Sequence, residues 1–271
     1  MDKSGRTLLQ VQIVAFGKDG IERVVKHSHP HIDGVKWLVS WQSTDPHIPI
    51  PKELSERDDF DIIIHYDKGV SRNRNYALDF PCESPYVLLS DDDVDYSKDS
   101  LLSLIKIFED FPEADIVCCR YKCNGGYVKN YGDGVFSLDN TPFGWYPTTF
   151  EMAFRRKSLN GIRFNENIGP GSGKLIAGED SIWYCDMIKH GAKGIGYPLD
   201  ICEHNQSTTG ERLITDPDFL KSYGACMVHI KPLTWFPRLI LHAHRTSMPF
   251  FKCLYHTLSG VKYSFTHHIF K

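Results

Sequence analysis

Tyr86-Val87-Leu88-Leu89-Ser90-Asp91-Asp92-Asp93-Val94-Asp95 is the stretch that decides the fold of this chain. Its apolar residues 86–89 follow Pro85 and stop at a serine and three consecutive carboxylates, a run too short for a helix and bounded like a buried strand. The acids therefore sit at the strand's carboxyl end, where open α/β sheets bind their ligands. Adjacent carboxylates repel one another unless a cation neutralises them, and a hard divalent ion with oxygen ligands is the simplest such partner. The competing reading is an acidic loop that caps the next helix. Capping requires only Asp95 or Ser97, so it leaves Asp91, Asp92 and Asp93 unexplained.

On the downstream side, Leu101, Leu104, Ile105, Phe108 and Phe111 recur at helical spacing, with Ser97 at the N-cap position and Pro112 just beyond. The pattern predicts a helix over 97–111. On the upstream side, strands are expected over 8–16, 35–41 and 60–66, the last with a β-branched centre typical of a buried parallel sheet. Gly17-Lys18-Asp19-Gly20 reads as a loop after the first strand, before a short helix over 21–27. After the third strand, Gly69 permits a tight turn, Ser71 stands where it can cap a helix, and Arg72 and Arg74 bring positive charge to that helix's start. Such an end attracts anions, although the same arginines also fit a solvated helix face. The loops after the third and fourth strands should open on one sheet edge. An anion held beside a metal there is what a nucleotide diphosphate requires.

The second half reads less regularly. A strand is expected over 115–121, then a stretch over 122–150 rich in Gly, Tyr, Asn and Asp, which forms either loops or antiparallel strands. Trp145, Tyr146 and Phe150 within it are either core residues or a stacking surface for sugars. Another strand is expected over 151–156, followed by a glycine-rich loop over 164–173. Lys174-Leu175 does not complete a phosphate-binding GxxxxGK[ST] loop, so this segment reads as a flexible loop facing substrate. A helix then runs from Asp180 to near Gly191, with Glu179 and Asp180 at its N-terminus. Gly194 and Gly196 read as turn residues before a late strand over 197–204 that carries His204 outward. A lone histidine there is more often structural than a ligand and counts only in combination.

Bulk properties narrow the classes. The 271 residues are 41% hydrophobic and 24% charged, which suits a globular chain with one large domain and an appendage. Eight cysteines form no CxxC pair, and Cys118, Cys119 and Cys123 lack zinc-site spacing. With a polar start and no visible secretory signal, a cytoplasmic protein with reduced thiols is expected. The most apolar part of the tail, 233–241, is interrupted by Pro237 and Arg238 and falls short of the roughly 18 apolar residues a membrane span needs. Charge is uneven: residues 221–271 contain seven Lys or Arg and no Asp or Glu, so the tail carries +7 of an overall −3. Its interleaved aromatic residues fit either a helix on an anionic membrane surface or completion of the core. Nucleic acid is not expected as a partner, because no recognition module accompanies the charge.

Taken in order, Gly69 to Asn73 (GxSRN), Leu88 to Asp93 (strand, then DxD), Gly178-Glu179-Asp180 opening a helix that closes at His190-Gly191, and His204 resemble a family 2 glycosyltransferase of the GT-A fold. The resemblance covers residues 8–205. It implies an α/β, Rossmann-like, mostly parallel central sheet flanked by helices. The expected organisation is a catalytic domain over 1–212, divided at 121/122 into a nucleotide-sugar half and an acceptor half, and a helical basic and aromatic extension over 213–271. It also implies an inverting enzyme that moves a sugar from a nucleotide sugar, usually a UDP-sugar, to a hydroxyl of a glycan or lipid-linked acceptor with Mn²⁺ or Mg²⁺. On this resemblance Asp93, Asp91 and His204 are metal residues, Asp180 is the catalytic base, and Glu179 contacts the acceptor. Asp91, Asp92, Arg72, Asn73, Gln42 and Phe16 hold the donor.

One position departs from the family pattern. Members usually carry an acidic residue after the second strand to hold the uracil ring, whereas this chain has Ser40-Trp41-Gln42-Ser43-Thr44-Asp45. Gln42 can hydrogen-bond a base edge there, and Trp41 is expected to stack on it. A haloacid dehalogenase-type phosphatase also uses strand-then-DxD, but it wants Thr or Val where Asp95 stands. The remaining alternatives are a sugar-phosphate nucleotidyltransferase and a non-catalytic nucleotide- or glycan-binding protein of the same fold.

Overall fold

The computed structural model describes residues 7–204 and 216–270. The expected boundary at 212/213 lies outside them. The chain forms two compact units: 7–67, 73–162 and 186–204 make the first, and 68–72, 163–185 and 216–270 the second.

The first unit holds one mixed sheet. Its strands are β1 (Leu9–Phe16), β2 (Val35–Gln42), β3 (Phe60–His65), β4 (Tyr86–Asp91), β5 (Asp95–Tyr96), β6 (Ile116–Lys122), β7 (Phe136–Ser137), β8 (Met152–Arg155) and β9 (Gly194–Glu203). They are ordered β3-β2-β1-β4-β8-β6-β9-β5, with β7 on β9. The first four are parallel, and β8 runs antiparallel between β4 and β6. Parallel strands need covered faces, and β1 and β2 are buried almost throughout, with Leu9, Val11, Ile13, Trp37 and Trp41 at the centre. Between these strands run α1 (Gly17–Lys26), the short α2 (Lys52–Ser55), α3 (Val70–Asp79), whose first turn belongs to the second unit, and α4 (Lys98–Asp110).

α4 forms as its sequence dictates. The Ser97 hydroxyl accepts the Ser100 N–H at 3.1 Å, and Leu101, Leu104, Ile105 and Phe108 enter the core. Two expectations fail nearby. The helix after β1 begins at Gly17 itself, so Gly17 to Gly20 are its first turn and not a loop. Gly194 and Gly196 lie inside β9 and not in a turn. The reason is on another strand: β7 pairs antiparallel with β9, and a Cβ on Gly196 would meet the Phe136 ring at 2.0 Å. Glycine there makes room for the aromatic ring over the strand.

The segment 122–150 is mostly loop, tied by β7 and by a buried charge pair. Lys129 donates to Glu151, to the Tyr146 carbonyl at 2.6 Å and to Thr148 Oγ1 at 2.8 Å. The Tyr121, Tyr131, Trp145 and Tyr146 rings surround its ammonium.

The second unit is helical: the start of α5 (Glu179–Lys189), then α6 (Pro217–Ile230), α7 (Trp235–Arg245) and α8 (Phe250–Thr266). Ile168, Leu175, Ile182, Ala225, Cys226 and Ile269 form one small core. The glycine-rich loop folds on itself, with the Gly169 N–H donating to the Leu175 carbonyl at 2.8 Å. Ser71 does not cap α3. That helix starts at Val70, and the Ser71 hydroxyl donates to the Ile168 carbonyl at 2.6 Å.

Candidate functional site

Parallel pairing lines up the strand ends of the first unit. Phe16 stands opposite Gln42, Gln42 opposite His65, and Asp91 opposite Val14, so the carboxyl ends of β1 to β4 make one edge. Phe16 is about half exposed at this edge, whereas Gln42 is enclosed. Trp41 is not a stacking surface: it is fully buried and its indole N–H donates to the Gly17 carbonyl at 2.8 Å. Neighbouring residues 41 and 42 point to opposite faces of the sheet, and both are covered here.

Asn73 is buried on α3, where its amide donates to the Ala15 carbonyl at 3.1 Å and its Oδ1 faces His65 Nε2 at 3.0 Å. It ties β1, β3 and α3 together. Burial lowers the His65 pKa, against the raising effect of Asn73 and Asp67.

The three acids after β4 engage three different partners. Asp91 Oδ1 accepts from Arg74 at 2.9 Å, and the same guanidinium donates to Thr149 Oγ1 at 2.9 Å. Asp92 is gripped by both arms of Arg23 on α1, Nε to Oδ1 and Nη2 to Oδ2, each at 2.9 Å. A Cβ on Gly20 would lie 2.8 Å from Asp92 Oδ2, so a glycine on α1 leaves room for this carboxylate. Asp93 Oδ1 lies 3.3 Å from His204 Nε2, and the His204 ring stacks on Phe150 at 5.0 Å. Phe150 is thus a core support, which answers one of the aromatic alternatives.

The electrostatics distinguish the acids. Burial pushes Asp92 up to about 6, helped by Asp91 and Asp93 and opposed by Arg23. Burial also pushes on Asp93, but the hydrogen bond and charge of His204 outweigh it and hold Asp93 below the usual carboxylate range. An excess of buried negative charge is what a divalent cation offsets. Carboxylate oxygens from Asp93 and Asp91 and an imidazole nitrogen from His204 are a donor set suited to Mn²⁺ or Mg²⁺. They are not gathered as tightly as His31, Asp58 and Asp59, the one trio among the described residues whose ligand-type atoms all lie within 4.8 Å. That trio sits at the amino end of β3, and both Asp59 oxygens accept from Arg57, at 2.9 and 2.7 Å, so it is an ion-pair cluster.

The other predicted residues belong to the second unit. Arg72 Nε donates to Glu166 at 3.0 Å in a largely solvated pair. Glu179 and Asp180 open α5, with Glu179 buried and Asp180 half-buried. The Asp180 carboxylate accepts the Ser181 N–H at 2.6 Å. Gly169 and Gly178 frame this turn in the left-handed region, at φ +103° and +101°. A Cβ on Gly169 would lie 3.1 Å from the Glu179 carboxyl, and one on Gly178 would lie 2.7 Å from Cys226 Sγ. Burial, with Glu179 and Asp180 nearby, pushes the Cys226 thiol up and keeps it neutral.

Sequence reasoning missed two residues of this site. Arg74 was visible as a cation but not as the partner of Asp91. Nothing in the sequence signals Arg23, which lies 69 positions from the Asp92 it grips.

The sequence model of the family described as "Glycosyl transferase family 2" matches residues 38–172, which include Arg72, Asn73 and Asp91 to Asp93. No curated protein matches the sequence. Among solved structures, S. aureus TarS 1-349 in complex with UDP-GlcNAc is similar over 96% of this chain and 73% of that one, at a TM-score of 0.60 and 15% identity. The chain covers 44% of the longer S. aureus TarS structure. The mannosyltransferase PcManGT from Pyrobaculum calidifontis, in complex with GDP-Man and Mn²⁺, is similar over 97% of this chain and 76% of that one, at a TM-score of 0.57 and 15% identity. At such identities the likeness speaks for the fold.

Proposed function

This chain belongs to glycosyl transferase family 2 and has the GT-A fold, and on that premise we propose that it transfers a sugar, with inversion, from a nucleoside diphosphate sugar to a hydroxyl of a glycan or lipid-linked acceptor. The observation that carries the reading is the acidic end of β4, where Arg74, Arg23 and His204 each hold one of three successive carboxylates.

Asp93, His204 and Asp91 are the residues that would hold Mn²⁺ or Mg²⁺. Bound there, the ion supplies positive charge to the departing diphosphate. Asp91 and Asp92, with Phe16, Gln42, Arg72 and Asn73, make up the donor side. Gln42 offers an amide where an acid is usual, and Phe16 offers a ring. UDP is the first candidate nucleotide, supported by the complex of TarS with UDP-GlcNAc, and GDP is the second, supported by the complex of PcManGT with GDP-Man. Asp180 serves as general base for the acceptor hydroxyl, with Glu179 contacting the acceptor. A single base with no enzyme-bound sugar gives inversion. Residues 1–212 are read as the catalytic domain and 213–271 as its extension, working on the cytoplasmic side of a membrane.

A thermal-shift screen of the full chain with UDP-GlcNAc, UDP-glucose, UDP-galactose and GDP-mannose, each with and without Mn²⁺, tests this reading. A donor at a hundredfold excess over its Kd adds about 2.7 kcal/mol of stability, a clear rise in Tm. The expected result is a metal-dependent rise with one of them, retained by Asp180→Asn while turnover falls by about 10²–10⁴-fold. Absence of any shift in the wild type overturns the proposal.

A further inference from the structure

The second unit contains a helix that faces the wrong way for water. Along α8, Phe251, Leu258 and Phe265 recur at every seventh residue, with Tyr255 and Lys262 on the same face, and Phe251 is 83% exposed, Tyr255 69% and Phe265 62%. The opposite, buried face is Cys253, Thr257, Gly260, Val261 and Ser264. That face meets α6 at near backbone contact: a Cβ on Gly260 would lie 1.8 Å from the Lys221 carbonyl oxygen, and one on Gly224 1.9 Å from that of Thr257. Small residues therefore make the close contact with α6, Phe250 and Tyr263 are partly buried against the protein, and Phe251, Tyr255 and Phe265 point outward. Close packing through small residues is favoured where the surroundings are apolar.

The same side of the sequence is basic. Lys231, Arg238, Arg245, Lys252 and Lys262 are exposed, and no acidic residue occurs from 221 to 271. Leu233, in the turn before α7, is 95% exposed, and Phe236 and Leu241 on α7 are also exposed. Contiguous apolar surface rimmed by charge of one sign marks an interaction site. Among the described residues no helix is long and apolar enough to cross a membrane.

We propose that the aromatic stripe of α8, with the basic residues of α7 and α8, docks on the surface of an anionic lipid bilayer. The aromatic rings enter the interface while the lysines and arginines reach the headgroups along their aliphatic stems. The charge of the tail selects the occupant: cations without a single acid from 221 to 271, beside exposed aromatic rings, complement an extended sheet of anionic headgroups over an apolar interior. This surface belongs to the second unit and shares no residue with the acidic end of β4, so its failure leaves the donor-binding result untouched.

Co-sedimentation of the full chain with extruded vesicles tests it, using phosphatidylcholine alone and an equimolar mixture with phosphatidylglycerol. The folded protein is expected to bind the anionic vesicles at low salt, to leave them at high salt, and to ignore the neutral ones. Lys252→Glu with Lys262→Glu should weaken binding by roughly tenfold or more. Phe251→Ser with Phe265→Ser should do the same, and circular dichroism should show both double variants folded. The proposal fails if the wild type stays in the supernatant with anionic vesicles at low salt, or if neither double variant changes binding. It also fails if the wild type is a dimer in sedimentation equilibrium that Phe251→Ser with Phe265→Ser dissociates, while vesicles remain unbound. The stripe would then be a contact between two copies.

Discussion

α4 of the sheet unit and α8 of the helical unit are both two-faced helices, and they present opposite faces to the protein. α4 buries Leu101, Leu104, Ile105, Ile107 and Phe108 and turns Lys98, Asp99, Lys106 and Asp110 to solvent, with Lys106 paired to Asp110. α8 buries Val261 among glycine, cysteine and hydroxyl residues, partly buries Phe250, Leu254 and Tyr263, and turns the rings of Phe251, Tyr255 and Phe265 outward. The first is held by apolar area removed from water. The second adds close approach of backbones at Gly224 and Gly260 to a smaller share of buried apolar side chains. The same hydrophobic periodicity thus reports two different stabilising forces, and only the size of the buried residues tells them apart.

Substitutions that remove volume should discriminate between the two most strongly. Leu104→Ala in α4 should cost about 2–5 kcal/mol in urea unfolding, because the site is fully enclosed. An intact midpoint would mean that α4 is not part of the cooperative core. The converse change, Gly260→Ala in α8, adds one methyl where a carbonyl oxygen lies 1.8 Å from its position, and should cost about 1–3 kcal/mol. A helix packed through large side chains would absorb that methyl, so a neutral result would refute the backbone contact.

Acid offers a smaller, graded separation. Burial lowers the pKa of His29 and of His65 from the ordinary 6.5, and both belong to the sheet unit. Below about pH 6.5 the unfolded chain takes up protons that the folded histidines resist, so stability should fall as pH drops toward 5. Folded Asp92, pushed up to about 6, takes up a proton over the same range and opposes this fall, so the measurement uses Asp92→Asn. In thermal unfolding its Tm should fall from pH 8 to pH 5, and a Tm that rises would contradict the burial of these rings. The smallest effect is expected on the exposed stripe. Phe251→Ala should change the unfolding free energy by no more than about 0.5 kcal/mol, an order below Leu104→Ala. A larger loss would show that the ring packs against protein.

The parts of this molecule that were readable in its sequence are those whose cause is local. α4 announces itself through Ser97 and its spacing, and the strand that ends in Asp91 to Asp93 through a short apolar run that stops at charge. Gly194 and Gly196 were misleading because the reason for a glycine at 196 is Phe136, on a strand far away in sequence. Trp41 was misread for a related reason, since the composition beside Gln42 does not say which face each residue takes. Arg23 could not be found at all: a bidentate grip on Asp92 depends on where α1 lies against the turn after β4, and no spacing encodes that. The reversed polarity of α8 was half visible, as an acid-free aromatic tail, but only packing shows that its small residues are the inner ones.

The ammonium of Lys129 has a use as a clock. Its side chain is wholly enclosed with Glu151 among aromatic rings, so no amine-directed reagent reaches it while the loop over 122–150 is closed. Opening the loop exposes it, and the rate at which Lys129 becomes labelled then measures how often that loop lifts away. Exposed Lys106, at the solvent face of α4, labels in every state and supplies the reference rate. A single peptide-mapped labelling series can thus read loop opening without a substrate.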